Sequence, residues 1–155
     1  MASTYDLYKK TIALPQGKRL FSIAYGQKAP YFASIHMMVR DMAPHHGEVT
    51  VPLRRGNKNH IGTVHAIAAC NGLEAAMGLL AEATCPKDSR WLPKGMDVKY
   101  LAKSDGPLTC TADSTPEDWA KGGDVPITVK ATLPDGTVTV DGIIHLWVTK
   151  KSKKA

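Results

Sequence analysis

Glu74 is the residue whose position most needs a chemical explanation. It stands in segment 57–78, NKNHIGTVHAIAACNGLEAAMG, inside an otherwise apolar run from Ala66 to Ala83. A carboxylate there is either solvated on a narrow exposed stripe or held in a cleft where its ionisation matters. Asn71, three residues earlier, is spaced to share its helix face. His65 opens the run and reads either as a hydrogen-bonded structural histidine or as a participant in chemistry. The backbone next to it has its own potential, because the first amides of a helix lack intrahelical partners and point at whatever carries negative charge. Arg54, Arg55 and Lys58 form the densest basic cluster outside the C-terminus. They suit a solvated loop, or a phosphate grip of the kind that arginine makes bidentately.

These residues need elements to hold them. A long helix is predicted over Thr63 to Ala83, with Thr63 as its N-cap and a length of about 30 Å at 1.5 Å per residue. Its small residues, Ala66, Ala68, Ala69, Gly72, Ala75, Ala76 and Gly78, allow a close approach to a sheet, and apolar character around most of its circumference predicts enclosure. Before it, strand character runs from Tyr31 to Met42, with Ile35, Met37 and Val39 on one face, and alternation marks a second strand over Glu48 to Leu53. After it, Met96 to Lys103, Leu108 to Ala112, Val125 to Leu133 and Thr137 to Thr149 suit strands, the last two joined at Pro134-Asp135-Gly136. Thr115-Pro116-Glu117-Asp118 has the cap, N1 proline and first-turn acids of one helical turn. Tyr5 to Leu14 and Lys18 to Tyr25 are predicted as short helices, separated by Pro15-Gln16-Gly17. Six strands with one long helix to cover them make an α+β domain in which the sheet wraps around the helix.

Composition narrows the function classes. The chain has 155 residues, 43% hydrophobic and 22% charged, the range of a single globular domain. Lys150, Lys151, Lys153 and Lys154 account for much of the net charge of +6; without them sixteen basic residues face fourteen acidic ones, or +2. No aromatic residue interleaves this 150–155 tail, so it is expected to be solubilising, and no nucleic-acid partner is expected. Asn71, Glu74 and Glu82 interrupt the apolar run, so no membrane partner is expected. Met1 to Leu14 has no signal-peptide core, the mature chain is expected to start there, and Cys70, Cys85 and Cys110 contain no Cys-x-x-Cys pair. A reducing cytoplasmic location is therefore expected. There is no Gly-x-Ser-x-Gly elbow, P-loop or dinucleotide fingerprint, and His45, His46 and His60 lack the spacing of a zinc protease, so neither metal nor cofactor is expected. Cys70 is expected to be a small packed hydrophobe, and Trp91, Trp119 and Trp147 core or interface anchors.

Asn59, Gly62-Thr63, His65 and Glu74 reproduce the spacing of the hotdog-fold thioesterases, in which an asparagine, a glycine, a histidine opening the helix and an acid nine positions later follow one another. The element order also resembles that fold, a curved antiparallel six-stranded sheet around one helix. The resemblance covers residues 31–149 as a single domain, between an N-terminal helical segment, 1–30, and the tail. It is of the kind seen in small members related to the phenylacetate-pathway and medium-chain thioesterases, or in an uncharacterised branch beside them. It departs where the family commonly has two glycines after the histidine and this chain has Ala66 and Ile67, and where Glu74 replaces a frequent aspartate.

The resemblance implies hydrolysis of an acyl thioester such as an acyl-CoA. Glu74 would act as general base or nucleophile, Asn59 and His65 as orienting residues, and the amide of Ala66 or a neighbour as oxyanion donor. Gly62, Thr63, Asn71, Arg54, Arg55 and Lys58 would contact substrate. A homodimer or dimer of dimers is implied, with Glu74 of one copy set against the helix terminus of the other. The alternative is a non-catalytic acyl-thioester-binding member of the same fold. A dehydratase would be expected to carry a His-Phe-Pro loop before the helical acid, which His45-His46-Gly47 does not supply.

Overall fold

The computed structural model describes residues 3–152. Lys153 and Lys154 of the basic tail lie outside the described residues. Helix α1 (Thr4–Ile12) opens with a capping box: Ser3 Oγ accepts from the Asp6 amide at 3.1 Å, and the Asp6 carboxylate accepts in return from the Ser3 amide at 3.2 Å. The bonds from Ser3 hold the Asp6 carboxyl down at about 2. Helix α2 (Gly17–Lys28) follows after Gln16, which adopts a left-handed conformation. The two expected N-terminal helices are thus present.

The expected strand over Tyr31 to Met42 is corrected in its first half. Pro30 at the first helical position starts a five-residue helix α3 (Pro30–Ser34), and His36, at φ 52°, turns the chain into β1 (Met38–Ala43). Ile35, Met37 and Val39 are all buried as the alternation suggests, but only Val39 lies in a strand. Strand β2 (His46–Val51) returns through a two-residue turn, and a single 3-10 turn (Arg55–Asn57) leads towards the long helix α4 (Ala66–Thr84). Strands β3 (Ser89–Tyr100), β4 (Leu108–Asp113), β5 (Gly123–Thr132) and β6 (Val138–Lys150) complete the chain, with α5 (Pro116–Ala120) as the expected capped turn.

All pairings are antiparallel, and the sheet order is β1-β2-β4-β5-β6-β3. The curved sheet embraces α4 in the hotdog arrangement. Ala69, Leu73, Ala76 and Leu80 of the helix are buried against Val49, Val51, Cys110 and Ala112 of β2 and β4. The approach is close enough that a Cβ on Gly47 would stand 2.1 Å from the Ala76 carbonyl oxygen, so β2 can cross the helix only with glycine there. Burial of the Cys110 thiol in this layer pushes it up to about 12. Because α4 is largely enclosed by the sheet, its length and hydropathy reflect a core helix.

β3 begins at Ser89, seven residues before the expected Met96. Pro93 and Gly95 look like strand breakers in sequence, but β3 is an edge strand, where a missing N–H interrupts no second ladder. The register with β6 slips between Pro93 and Gly95, leaving a bulge.

Candidate active site

The N-terminus of α4 is organised by its backbone. Lys58 and Val64 form an isolated antiparallel bridge that closes the loop from Asn59 to Thr63. Within the loop Asn59 Nδ2 donates to Thr63 Oγ1 at 2.8 Å, while Asn59 Oδ1 accepts from the amides of Ile61 and Thr63, each at 3.1 Å. Gly62 turns the loop at φ 86°, a conformation open to glycine and strained for other residues. Thr63 is therefore committed to the loop and is not the helix cap. That place belongs to His65, whose Nδ1 accepts from the Ile67 amide at 3.0 Å. Acceptance at Nδ1 puts the proton of the neutral ring on Nε2 and leaves that N–H as a donor.

Two buried supports fix this terminus from below. The His65 amide donates to the Asn57 carbonyl at 2.7 Å and the Val64 amide to the Ser104 carbonyl at 2.8 Å. Asn57, 2% exposed, donates from Nδ2 to the carbonyls of Ile35 and Pro52. Nothing in the sequence distinguishes Asn57 from a loop asparagine; its role depends on chain segments far apart in sequence. Among the described residues no protein group accepts the Ala66 amide, as expected for a first-turn N–H. A cleft of about 390 Å³ lies in front, with Asn59, Thr63 and Ala66 on one wall and Tyr100, Leu101 and Lys103 on the other.

Glu74 occupies a different place. It is half-buried in the middle of α4 and lines a second cleft, of about 280 Å³, with Pro93, Lys94, Gly95, Met96 and Ile144. The β3 bulge is thus its opposite wall. No donor among the described residues reaches its carboxylate: Lys94, the one cation lining the cleft, turns its ammonium to Asp124 Oδ2 at 3.2 Å and over the Trp147 ring at 5.0 Å. His145 bridges Asp124 at 3.1 Å and Asp97 at 3.2 Å on the same outer face. The His145 bond first, and Lys94 second, hold the Asp124 carboxyl below the usual carboxylate range. The bulge is pinned from behind by these charges, and Glu74 looks at its apolar front.

One chain does not bring these places together. Ala66 and Glu74 are eight residues apart, about 12 Å along a helix axis, whereas a reacting carbonyl must lie about 3 Å from both its attacking group and its oxyanion donors. Cys70, one turn before Glu74, is half-buried with its sulfur 3.8 Å from the Tyr100 hydroxyl. Burial pushes that thiol up, away from nucleophilic thiolate. Asn71 does not reach the Glu74 cleft; it is 5% exposed, and its Nδ2 donates to the Tyr31 carbonyl of α3 at 3.2 Å. Arg54, Arg55 and Lys58 are exposed at the approach to the Asn59 loop and line neither cleft, while Lys103, whose role the sequence did not signal, lines the one at the helix terminus. Among the described residues no cluster of three or more His, Cys, Asp or Glu side chains could hold a metal ion.

Residues 17–148 match the family described as domain of unknown function, DUF4442. No curated protein matches the chain. A crystal structure of a structural-genomics target is 38% identical with a TM-score of 0.85, the match covering 96% of this chain and 99% of that one. A thioesterase family protein from Silicibacter pomeroyi is 17% identical with a TM-score of 0.70, over 84% of this chain and 96% of its own. A thioesterase from Staphylococcus aureus, solved as a point mutant, is 15% identical with a TM-score of 0.68, over 79% of this chain and 99% of its own. At such identities the last two are likenesses of fold.

Proposed function

We propose that this chain, which belongs to the DUF4442 family, hydrolyses acyl thioesters, with acyl-CoA as the substrate. The observation that carries the reading is Glu74: a half-buried carboxylate with no donor among the described residues, in a cleft walled by Pro93, Lys94, Met96 and Ile144 at the middle of the core helix. Proteins of the same fold carry the name thioesterase, which supports the reaction class.

Glu74 either takes a proton from a water that attacks the thioester carbonyl or attacks that carbon itself. On the first route the water oxygen bonds to the carbonyl carbon, the tetrahedral intermediate collapses with breakage of the C–S bond, and the thiolate takes the proton that Glu74 accepted. On the second the C–S bond breaks as an acyl-Glu74 anhydride forms, and water then hydrolyses that anhydride, which releases the acid and supplies the proton for the thiolate. The oxyanion is stabilised by the Ala66 amide at the positive end of the α4 dipole. Asn59 and Thr63 hold the loop that shapes this end, and His65 Nε2–H and the remaining Asn59 Nδ2–H are the donors that orient the thioester. Arg54, Arg55, Lys58 and Lys103 offer charge to the CoA phosphates.

The separation along α4 supports a homodimer as the working unit, with Glu74 of one copy facing the helix terminus of the other, alone or paired into a dimer of dimers. Strand β3 is the edge that suits it. Its twelve residues pair on one side only, whereas the opposite edge, β1, has six residues and α2 packed against it. Three free cysteines suit a cytoplasmic setting. A non-catalytic thioester-binding role is the second reading, favoured by Ile67, whose side chain is 55% exposed at the helix terminus.

A panel of acyl-CoAs, from acetyl to long-chain, with a thiol-detecting dye tests the activity. The expected result is turnover of at least one member by the native protein and a loss of at least about a hundredfold in kcat for Glu74→Gln, with binding retained. Binding without turnover across the panel establishes the second reading instead, and an unchanged rate in Glu74→Gln removes Glu74 from the mechanism.

A further inference from the structure

Exposed large apolar side chains gather in two places. One group surrounds the α4 terminus and the sheet near β3, and includes Ile61, Ile67, Leu92 and Leu101. The other lies on the N-terminal helices and the turn between α1 and α2: Leu7, Ile12, Leu14, Leu20, Ile23 and Tyr31. These helices already have an inner side, where Tyr8, Phe21 and Tyr25 are buried and Tyr8 meets Phe21 edge-on at 5.0 Å. The outer side of α2 would ordinarily be polar. Instead Leu20 (48% exposed) is joined there by Ile23 (56% exposed) and Ala24, three and four residues on, with Lys18 and Arg19 immediately before Leu20.

α2 packs against β1, and the start of α1 lies beside β3, where Ser3 and Asp6 share a cleft with Ser89, Arg90 and Trp91; the outer face of α2 remains exposed. The charge distribution says what could cover it. Residues 3–30 carry Lys9, Lys10, Lys18, Arg19 and Lys28 against Asp6 alone, whereas residues 31–149 carry eleven basic and thirteen acidic side chains. Lys9 pairs with Asp6 and Lys28 with Glu82; among the described residues no carboxylate pairs with Lys10, Lys18 or Arg19. Packing this face on itself in a second copy would set cation against cation. An anionic surface with an apolar layer beneath it satisfies both the leucines and the lysines.

We propose that the outer face of α1 and α2 docks on an anionic lipid surface, with Leu14, Leu20 and Ile23 at the boundary between headgroups and acyl chains and Lys10, Lys18 and Arg19 on the phosphates. The contact is peripheral, unlike the membrane span that the interrupted run around Glu74 argues against.

Co-sedimentation of the full chain with vesicles tests this. The protein is expected to pellet with vesicles of equal parts phosphatidylcholine and phosphatidylglycerol, at least about tenfold more strongly than with phosphatidylcholine alone, and to be released by high salt. Leu20→Glu with Ile23→Glu should abolish pelleting, and Lys18→Glu with Arg19→Glu should weaken it severalfold. Leu20→Ser with Ile23→Ser should repeat the first loss without adding charge, and all three variants should keep the native circular dichroism and oligomer mass. No pelleting by the native protein, equal pelleting on both vesicle types, or pelleting unaffected by the Leu20 and Ile23 variants each overturns the proposal. A fall in oligomer mass in the Leu20 and Ile23 variants would assign the face to a second copy instead.

Discussion

The two ends of the candidate site are built in opposite ways. At the α4 terminus the side chains bond to one another and to the backbone: Asn59 holds Thr63, and His65 caps Ile67, so that what faces the cleft is largely a rigid frame with an unused amide at Ala66. At the middle of the helix Glu74 stands without a donor among the described residues, opposite a bulge braced from behind by Lys94, Asp124 and His145. One end supplies fixed dipoles and the other a carboxylate that no donor among the described residues engages. Electrostatic preorganisation and general-base catalysis ask for just such a division, one part that does not move and one that is not already occupied.

The sharpest way to break this contrast is to remove the amide while leaving the frame. Ala66→Pro does so, because proline is favoured at the first helical position and His65 already has extended backbone, at φ −60° and ψ 136°, as a residue before proline prefers. The expected loss is about a hundred- to a thousandfold in kcat, with the thermal midpoint nearly unchanged. Steady-state kinetics beside calorimetry would check it; an active Ala66→Pro enzyme would move the oxyanion to another donor.

A smaller effect is expected from loosening the frame. Asn59→Ala removes the bonds to Ile61 and Thr63 and should lower kcat by about ten- to a hundredfold through misplacement of the helix terminus. Thr63→Val, which loses only the Asn59 bond, should do less, and equal losses from the two would mean that the Asn59–Thr63 bond carries the whole effect and that Asn59 makes no contact with substrate.

The smallest effect concerns the charges flanking the terminus. Arg54→Ala with Arg55→Ala is expected to raise KM for acyl-CoA by severalfold, less so as salt rises, and to leave hydrolysis of a short acyl thioester without the nucleotide nearly unchanged. An equal loss on both substrates would make the loop structural.

How much of this was legible in the sequence follows the same division. Spacing marked Asn59, Gly62, His65 and Glu74, and periodicity with turn chemistry marked the N-terminal helices, the core helix, the capped α5 turn and the hairpin at Pro134-Asp135-Gly136. The helix cap was misassigned because threonine is a good cap in isolation, and only the folded loop shows Thr63 already engaged by Asn59. The first half of β3 was missed because Pro93 and Gly95 break a central strand yet are tolerated at a bulged edge. The alternation of Ile35, Met37 and Val39 suggests a strand reaching back to Tyr31, but Pro30 starts a helix there and His36 turns the chain after it. Asn57, Tyr100 and Lys103 gave no signal because their positions depend on segments meeting in space. The distance between Ala66 and Glu74 could be counted from the sequence, but the Pro93–Gly95 bulge that walls Glu74 could not.

That distance is the centre of the account, and mixing two crippled chains tests it most directly. Glu74→Gln and Ala66→Pro chains, each close to inactive alone, are unfolded together, refolded as a mixture and assayed against the acyl-CoA that the native protein cleaves best. If each site takes Glu74 from one copy and the helix terminus from the other, mixed dimers contain one intact site, and about a quarter of native activity should return at equal input. Activity no greater than the average of the two parents refolded separately, with mixed dimers shown by mass spectrometry to have formed, would contradict the shared site.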